Sequence, residues 1–223
     1  EGDTNTGINL PESDRIQLIT GGTERMRITS SGDVGIGTTS PQSGIHLAEG
    51  GSGSDGGSVL TLSQTGFGTI VNNDDLGSVH FGGVTSGGVG SHACAKIMVE
   101  GDGTFATNDF PTRMTFHTTT DGGNTLSERM RISNAGRVSI GTTTTDRELK
   151  VQKSGDSCVI AIVSGTSNLS GIVMGDTDDD DIGHILYNNS SNSMSFRTNT
   201  SDAVTIDSSG NLLIGTASFN AGA

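Results

Sequence analysis

The sequence has few of the large side chains that fill a protein core. Its 223 residues include no Trp and one Tyr, hydrophobic residues make up 30%, and 35 residues are Gly. Glycine brings no side chain to bury and loses the most backbone freedom on folding. Apolar burial contributes about 25 cal/mol per Å², against an ordering cost of roughly 1.5 kcal/mol per residue. We therefore expect a single copy to be marginally stable, with further copies supplying the missing buried surface.

Basic residues are also scarce. The chain has 12 Lys and Arg against 25 Asp and Glu, a formal net charge of −13. A surface of this sign repels nucleic acid and anionic membrane faces. No apolar run approaches the roughly 20 residues of a membrane-spanning helix. We expect neither nucleic acid binding nor membrane insertion.

Metal-binding and redox motifs are missing as well. The two cysteines, Cys94 and Cys158, follow no metal or redox spacing and are interpreted as small core residues. The histidines are scattered with no spacing such as H-E-x-x-H; they are His46, His80, His92, His117 and His184. No cofactor is predicted from these residues.

What the sequence does contain is a repeated phrase. Residues 24–39 read ERMRITSSGDVGIGTT, residues 128–143 read ERMRISNAGRVSIGTT, and residues 202–217 read DAVTIDSSGNLLIGTA. The copies align without a gap, and their matched glycines are Gly37, Gly141 and Gly215. Because internal repetition marks a structural unit that is used several times, we interpret the chain as a modular array.

Each copy of the phrase predicts a β-hairpin. In the first, Met26 and Ile28 share one face with Val34 and Ile36, and a turn containing Gly32 joins the two strands. This two-residue alternation argues against intrinsic disorder, which the composition alone would allow. We predict that these apolar stripes form the core of a homotrimer. The predicted core residues are Met26, Ile28, Val34, Ile36, Met130, Ile132, Val138, Ile140, Val204, Ile206, Leu212 and Ile214.

The small residues on the other face of the hairpin also need a reason. Gly35 and Gly37 leave that face nearly bare, so we expect another backbone to approach it closely. Val34 and Ile36 would meanwhile meet their counterparts from sister chains around a symmetry axis. The third copy departs from the pattern, because Leu213 stands where the first copy has Gly35.

Two further phrases extend the module. A large apolar, polar, large apolar pattern precedes each hairpin, as in Met114-Thr115-Phe116, and short strands follow the first two hairpins at Ile45-His46-Leu47 and Leu149-Lys150-Val151. We interpret those short strands as the start of the next module. The predicted fold is all-β: an elongated modular array of antiparallel β-hairpins and small β-sheets in an intertwined homotrimeric fibre. The predicted divisions are residues 1–40, 41–144, 145–217 and 218–223.

These phrases resemble the modules of bacteriophage tail fibres, especially those placed upstream of an intramolecular chaperone of the endosialidase type. The pattern there is close to E-R-M-R-I-x-x-x-G-x-V-G-I-G-T-x-x-P, often followed by an L-H-V strand. Here it is matched by residues 24–41 with Ile45-His46-Leu47, by residues 128–143 and loosely by residues 202–216. The resemblance implies a homotrimeric, β-rich shaft in the virion that links the tail to a receptor-binding tip.

The acidic run at residues 176–181 is the densest charge cluster. Asp176, Asp178 and Asp180 are the candidate ligands for a Ca²⁺ ion, because alternating carboxylates suit that cation. The EF-hand pattern fails, since Asp181 stands where its glycine should be. The alternative is an exposed acidic turn between strands.

Enzyme motifs are lacking. Glycosidases need paired carboxylates in a cleft, whereas the acidic residues here fall in predicted turns, and no G-x-S-x-G elbow is present. We predict a non-enzymatic structural segment of a phage tail fibre, involved in host attachment. Its expected partners are itself as a trimer, other virion tail proteins, and a host surface receptor or glycan reached by loops such as 101–110 and 121–124. The alternatives are a glycan-binding or depolymerase domain, and a bacterial surface filament or adhesin built from the same modules.

Overall fold

The computed structural model describes residues 5–11, 14–48, 57–64, 68–84 and 91–215, without the side chains of residues 84 and 91–93. Over these residues the chain forms β-strands and no helix, which confirms the all-β prediction. No described helix is long and apolar enough to cross a membrane. The chain divides into two compact units, Glu1–Gln152 and Lys153–Ala223.

The first unit contains two sheets, each with its strands in sequence order. The first sheet consists of β1 (Gly7–Asn9), β2 (Ile16–Thr20), β3 (Thr23–Ile28), β4 (Val34–Ile36) and β5 (Ile45–Leu47). The second sheet consists of β6 (Asp75–Val84), β7 (Ser91–Gly101), β8 (Thr112–Thr119), β9 (Leu126–Ile132), β10 (Val138–Ile140) and β11 (Leu149–Val151). Neighbouring strands are antiparallel except for two pairs, β4–β5 and β10–β11.

The second unit contains the third sheet, which is antiparallel throughout. Its strands are β12 (Leu169–Met174), β13 (Gly183–Asn188), β14 (Ser193–Thr198), β15 (Ser201–Ile206) and β16 (Leu212–Ile214). Each sheet therefore contains one copy of the repeated phrase.

The three predicted hairpins are confirmed as β3–β4, β9–β10 and β15–β16. In the first, Met26 lies opposite Ile36 and Ile28 lies opposite Val34. Gly32 in the turn has a φ of 88°, which residues with a Cβ rarely adopt. The alternation of apolar and polar residues and the glycine in the turn are local features, so the hairpins can be predicted from the sequence alone.

The predicted boundaries between modules need a correction. The short strand β5 was expected to open the next module, but it pairs in parallel with β4 of the preceding sheet. In the same way, β11 pairs in parallel with β10. The segment after each hairpin crosses back and runs in parallel, which a two-residue turn cannot achieve. The boundaries at 40/41 and 144/145 therefore fall inside the first and second sheets.

The sequence predicts that another backbone approaches the glycine face of the hairpin, and in the structure this backbone belongs to the same chain. A Cβ at Gly37, where φ is 72°, would lie 1.9 Å from the Ala48 carbonyl oxygen just after β5. One at Gly35 would lie 2.7 Å from the Thr38 carbonyl oxygen. Both glycines thus allow the returning segment to pack against the hairpin, and no sister chain is needed to explain them.

We predict that Gly37→Ala destabilises the protein more than Gly215→Ala does. Both positions have similar left-handed φ angles, 72° and 71°, so each variant incurs a strain of about 1–2 kcal/mol. At Gly215, however, no atom of the described residues lies within 4 Å of an added Cβ. Urea unfolding of the two variants isolates the clash with Ala48. Equal unfolding midpoints would contradict the close packing of β5 against Gly37.

Candidate functional site

One face of the first sheet is apolar and largely exposed. Cross-strand pairing aligns large aliphatic side chains on this face in two rows. Ile8 and Ile45, at its edges, are 73% and 71% exposed, and Ile36 in the predicted core is 40% exposed. The apolar face of this sheet consists of Ile8, Ile16, Leu18, Met26, Ile28, Val34, Ile36, Ile45 and Leu47.

The other two sheets have an equivalent apolar face. In the second sheet it consists of Val79, Ile97, Val99, Met114, Phe116, Met130, Ile132, Val138, Ile140, Leu149 and Val151. In the third it consists of Ile172, Ile185, Tyr187, Met194, Phe196, Val204, Ile206, Leu212 and Ile214. All twelve predicted core residues lie on these three faces, so the structure brings each set of four together within its own sheet.

The apolar faces are larger than the hairpins alone predict. The strands before each hairpin contribute Leu18, Phe116 and Phe196, and further strands of the second and third sheets contribute Ile97 and Ile185. The large apolar, polar, large apolar phrase is the sequence signal for the first three. Because such a phrase fixes side-chain direction only within its own strand, it leaves the partner strands undetermined.

The opposite face of the first sheet is polar and is closed by the chain itself. Arg27 extends over this face, where its guanidinium group donates to the Glu24 carboxylate and to the Thr39 carbonyl oxygen. The hydrogen bond from Arg27 lowers the pKa of the Glu24 carboxyl group below its usual value. Gly35 beneath this pair is buried. Arg27 and Glu24 are therefore paired and Gly35 is covered within the chain, while Arg15 Nε and His46 Nδ1 are buried without a hydrogen-bond partner among the described residues.

The second sheet closes its polar face with the same devices. Arg131 pairs with Glu128, and the hydrogen bond raises the pKa of the arginine. The Ser139 hydroxyl group donates to the Thr144 carbonyl oxygen at 2.9 Å, and both Ser139 and Thr115 are 0% exposed. The one buried hydrophobic side chain of the described residues, Met98, lies opposite Thr115 on this polar face.

The third sheet differs on its polar face, because Thr205 lies opposite Leu213 where the first sheet has Arg27 opposite Gly35. A buried histidine, His184, lies near Ser195 Oγ at 3.1 Å and Asp202 Oδ1 at 3.3 Å. Both distances are measured from the same ring nitrogen, Nε2. A Ser-His-Asp triad requires the serine and the aspartate on opposite ring nitrogens. This cluster therefore lacks the geometry of a hydrolase site.

A buried arginine that the sequence analysis missed fixes the loop between β7 and β8. Arg113 is 5% exposed, and its guanidinium group lies within 3.0 Å of Asn72 Oδ1, Asn73 Oδ1, the Gly101 carbonyl oxygen and Asp102 Oδ1. Two of these acceptors are about 40 residues away in sequence. No local pattern could have indicated that contact.

The loop that Arg113 fixes was one of the two candidate tips. Phe105 and Phe110 pack edge to face with ring centroids 5.5 Å apart, and Phe110 is 64% exposed. Phe105 N donates to the Ile70 carbonyl oxygen at 2.8 Å. The loop therefore presents an aromatic ring on an ordered backbone. The second candidate, residues 121–124, is a short exposed turn between β8 and β9.

The acidic run forms a turn between β12 and β13. Asp176 Oδ1 accepts hydrogen bonds from the backbone N–H groups of Asp178 and Asp179 at 2.9 and 3.1 Å, which lower the pKa of the Asp176 carboxyl group. The carboxylate oxygens that lie close together, within 4.8 Å, belong to Asp179, Asp180 and Asp181. The structure therefore does not bring Asp176, Asp178 and Asp180 together as one set, and binding of Ca²⁺ stays a prediction.

The described histidines do not converge on a common site. His80 Nε2 lies 2.9 Å from Ser78 Oγ, and His117 Nε2 lies 3.0 Å from Thr115 Oγ1. His46 is on β5 and His184 is on β13, while the side chain of His92 is outside the described residues. His80, His117 and His184 each contact a serine or threonine on their own strand or on a neighbouring one.

The solved structures that are similar to this chain include two of a tail-fibre domain. No protein-family model and no curated protein matches the sequence. The chain is similar to the carboxy-terminal domain of the bacteriophage T5 L-shaped tail fibre, with a TM-score of 0.41 and 13% identity, over 78% of this chain and 92% of that one. It is also similar to that domain with its intramolecular chaperone domain, with a TM-score of 0.40 and 14% identity, over 76% of this chain and 62% of that one.

Both structures are tail-fibre domains, the class of protein that the sequence phrases resemble. The chain spans less than two thirds of the second structure's length.

We predict that Arg113→Lys lowers the free energy of unfolding by about 1–3 kcal/mol, because lysine keeps the charge but leaves buried acceptors unpaired. Urea denaturation measures the loss, and limited proteolysis reports release of residues 102–111. Arg129→Lys is the matched control, since Arg129 is exposed and makes a hydrogen bond to Thr118. A loss at Arg113 no larger than that of the control would show that the cluster does not hold the loop.

We predict that His117 makes the protein less stable in mild acid. Burial is the main cause that lowers the pKa of His117 in the folded chain, and the nearby Lys96 ammonium group adds to it. The unfolded chain therefore binds a proton first, so stability is retained above about pH 6.5 and declines as the pH falls toward the lower folded value. Between pH 7.5 and pH 5, the free energy of unfolding measured with urea should fall less in His117→Gln than in the unmodified protein. The same loss in both proteins would rule out His117 as its source.

Proposed function

We propose that this chain is a non-enzymatic structural segment of a bacteriophage tail fibre, in which three copies pack the apolar faces of their sheets together. The observation that carries the proposal is the difference between the two faces. The chain covers the polar faces of the first two sheets by itself, while many large aliphatic residues stay exposed on the other side. A homotrimer buries them without any further partner.

Burial of these residues supplies the stability that one copy lacks. A large aliphatic or aromatic side chain that is fully removed from water contributes about 1.5–3 kcal/mol. Ile36 and Ile140 are each 40% exposed, and Leu212 and Ile214 are more exposed still. Contiguous apolar surface of this kind marks an interaction site in a soluble protein.

Three copies suit these faces because the hairpin strands are short. Each of β4, β10 and β16 contributes two apolar residues to its face, such as Val34 and Ile36. In the proposed trimer these short strands from three copies meet around an axis, where Val34, Ile36 and their equivalents pack together. The trimer also agrees with the resemblance of the repeated phrases to tail-fibre modules.

Two exposed apolar segments support an intertwined arrangement. Residues 157–163 lie outside every strand of the described chain, yet Val159 is 82% and Val163 is 86% exposed. Residues 58–62 are similar, with Val59 78% exposed. In the proposed trimer the exposed side chains of these segments pack against sister chains.

The proposed location is the virion tail, where the partners are other tail proteins and a host surface receptor or glycan. The exposed Phe110 favours the loop between β7 and β8 as a contact with a host glycan, since an aromatic ring is a common platform for a sugar. A bacterial surface filament would use the same apolar faces. Genes for other virion proteins beside this one would distinguish the fibre from the filament.

We predict that the unmodified chain is a trimer in solution and that Ile140→Asp disrupts it, because assembly would bury three carboxylates without partners. Mass photometry measures the assembly, and circular dichroism reports the sheets. Thr143→Asp is the matched control, since Thr143 is exposed three residues further on and is outside the apolar face. A folded, stable monomer of the unmodified chain would overturn the proposal.

A further inference from the structure

Asp-Gly pairs occur three times in the sequence, at Asp55-Gly56, Asp102-Gly103 and Asp121-Gly122. In such a pair the backbone nitrogen of the glycine can attack the side chain of the aspartate, because glycine has no Cβ to screen that nitrogen. Asp55-Gly56 lies outside the described residues. The other two pairs differ in how firmly the structure holds the aspartate carboxylate.

The Asp102 carboxylate is held at both of its oxygens. Oδ1 accepts a hydrogen bond from Arg113 Nη1 at 3.0 Å, and Oδ2 accepts one from Asn134 N at 2.9 Å. The neighbouring Gly103 is packed as well, because a Cβ there would lie 2.9 Å from Pro111 Cγ. Rotation of the Asp102 side chain toward the Gly103 nitrogen would break both hydrogen bonds.

The Asp121 carboxylate has no such restraint. Asp121 is exposed in the turn between β8 and β9, and its carboxylate makes no hydrogen bond or ion pair with the described residues. Gly122 has a φ of 70°, and no atom of those residues lies within 4 Å of an added Cβ. The Gly122 N–H group donates no hydrogen bond to their backbone either. Both reacting groups are therefore open to water and can rotate toward each other.

We infer that Asp121-Gly122 is a site of spontaneous aspartate isomerisation, whereas the fold protects Asp102-Gly103 from the same reaction. The Gly122 nitrogen loses its proton and forms a bond to Asp121 Cγ, and a carboxyl oxygen leaves as water, which gives a five-membered succinimide. Water then adds to the main-chain carbonyl carbon of Asp121 and breaks its bond to the Gly122 nitrogen. The chain now continues through Cγ, and the carboxylate is attached to Cα. Water is the only co-reactant.

The product alters the turn and leaves the paired residues unchanged. Isomerisation inserts one methylene carbon into the backbone at Asp121 and moves the negative charge, while the mass and the net charge stay the same. The last pair of the β8–β9 ladder, Thr119 with Leu126, does not include the altered residue. The modification therefore reshapes the turn at residues 121–124, one of the two candidate tips. The inference does not require the tail-fibre role.

The test incubates the full chain in neutral buffer for several weeks. Isoaspartate is labelled by methyl transfer with isoaspartyl methyltransferase, and mass spectrometry follows the tryptic peptides 97–113 and 114–129, each of which contains one Asp-Gly pair. We expect label in peptide 114–129 to accumulate about tenfold or more faster than in peptide 97–113, because reaction at Asp102 must first break charge-assisted hydrogen bonds. In urea, where neither carboxylate is held, the two peptides should be labelled at similar rates.

Asp121→Glu is the control variant, because a glutamate side chain does not close the five-membered ring. This variant should lose the label from peptide 114–129. Label that persists there would come from Asn124, the other residue of the peptide that can form a succinimide, and would overturn the inference. Equal labelling of the two peptides in the folded chain would also overturn it. So would an unchanged difference in urea, because the neighbouring residues in sequence, and not the fold, would then be its cause.

Discussion

The hydrogen bonds and ion pairs on the polar face of each sheet determine how the rest of the chain can be buried. Arg27 with Glu24, and Arg131 with Glu128, lie flat over small residues, and the loops after β4 and β10 cover those residues from outside. The chain therefore covers the face that has few apolar side chains with its own segments that follow β4 and β10. Large side chains remain exposed on the opposite, apolar face, although Leu62 of the same chain lies against Gly77 on that face of the second sheet.

Glycine lets the chain pack closely on itself although it has few large side chains. At Gly37 and Gly141 the backbone turns with a positive φ, and the returning strand passes so near that a Cβ would overlap a carbonyl oxygen. This contact positions β5 and β11, which extend the apolar rows by Ile45, Leu47 and their equivalents. The glycine content thus serves the close return of the chain and widens the face that remains exposed.

The sequence predicts the parts of this structure that depend on neighbouring residues. Alternation in ERMRI and a glycine in the turn determine the hairpins, and they place all twelve predicted core residues on the apolar faces. The parallel return of β5 is not local, because a three-residue strand looks the same whether it closes one sheet or opens the next. The contacts of Arg113 cannot be predicted from the sequence either, since its acceptors Asn72 and Asn73 are about 40 residues distant. The sequence also did not predict that Asp176 Oδ1 accepts two backbone N–H groups, and binding of Ca²⁺ by the acidic run stays a prediction.

The sidedness of the sheets also restricts where a fibre of this kind can contact a host. In the proposed trimer the apolar faces are internal, so a receptor can reach only the polar faces and the loops at strand ends. The loop between β7 and β8 meets this requirement, because Arg113 orders it and Phe110 is exposed. Threefold assembly presents that loop three times, and linked sites bind with an avidity well above that of one site. In the proposed trimer, a weak contact at each loop is therefore strengthened by the other two copies.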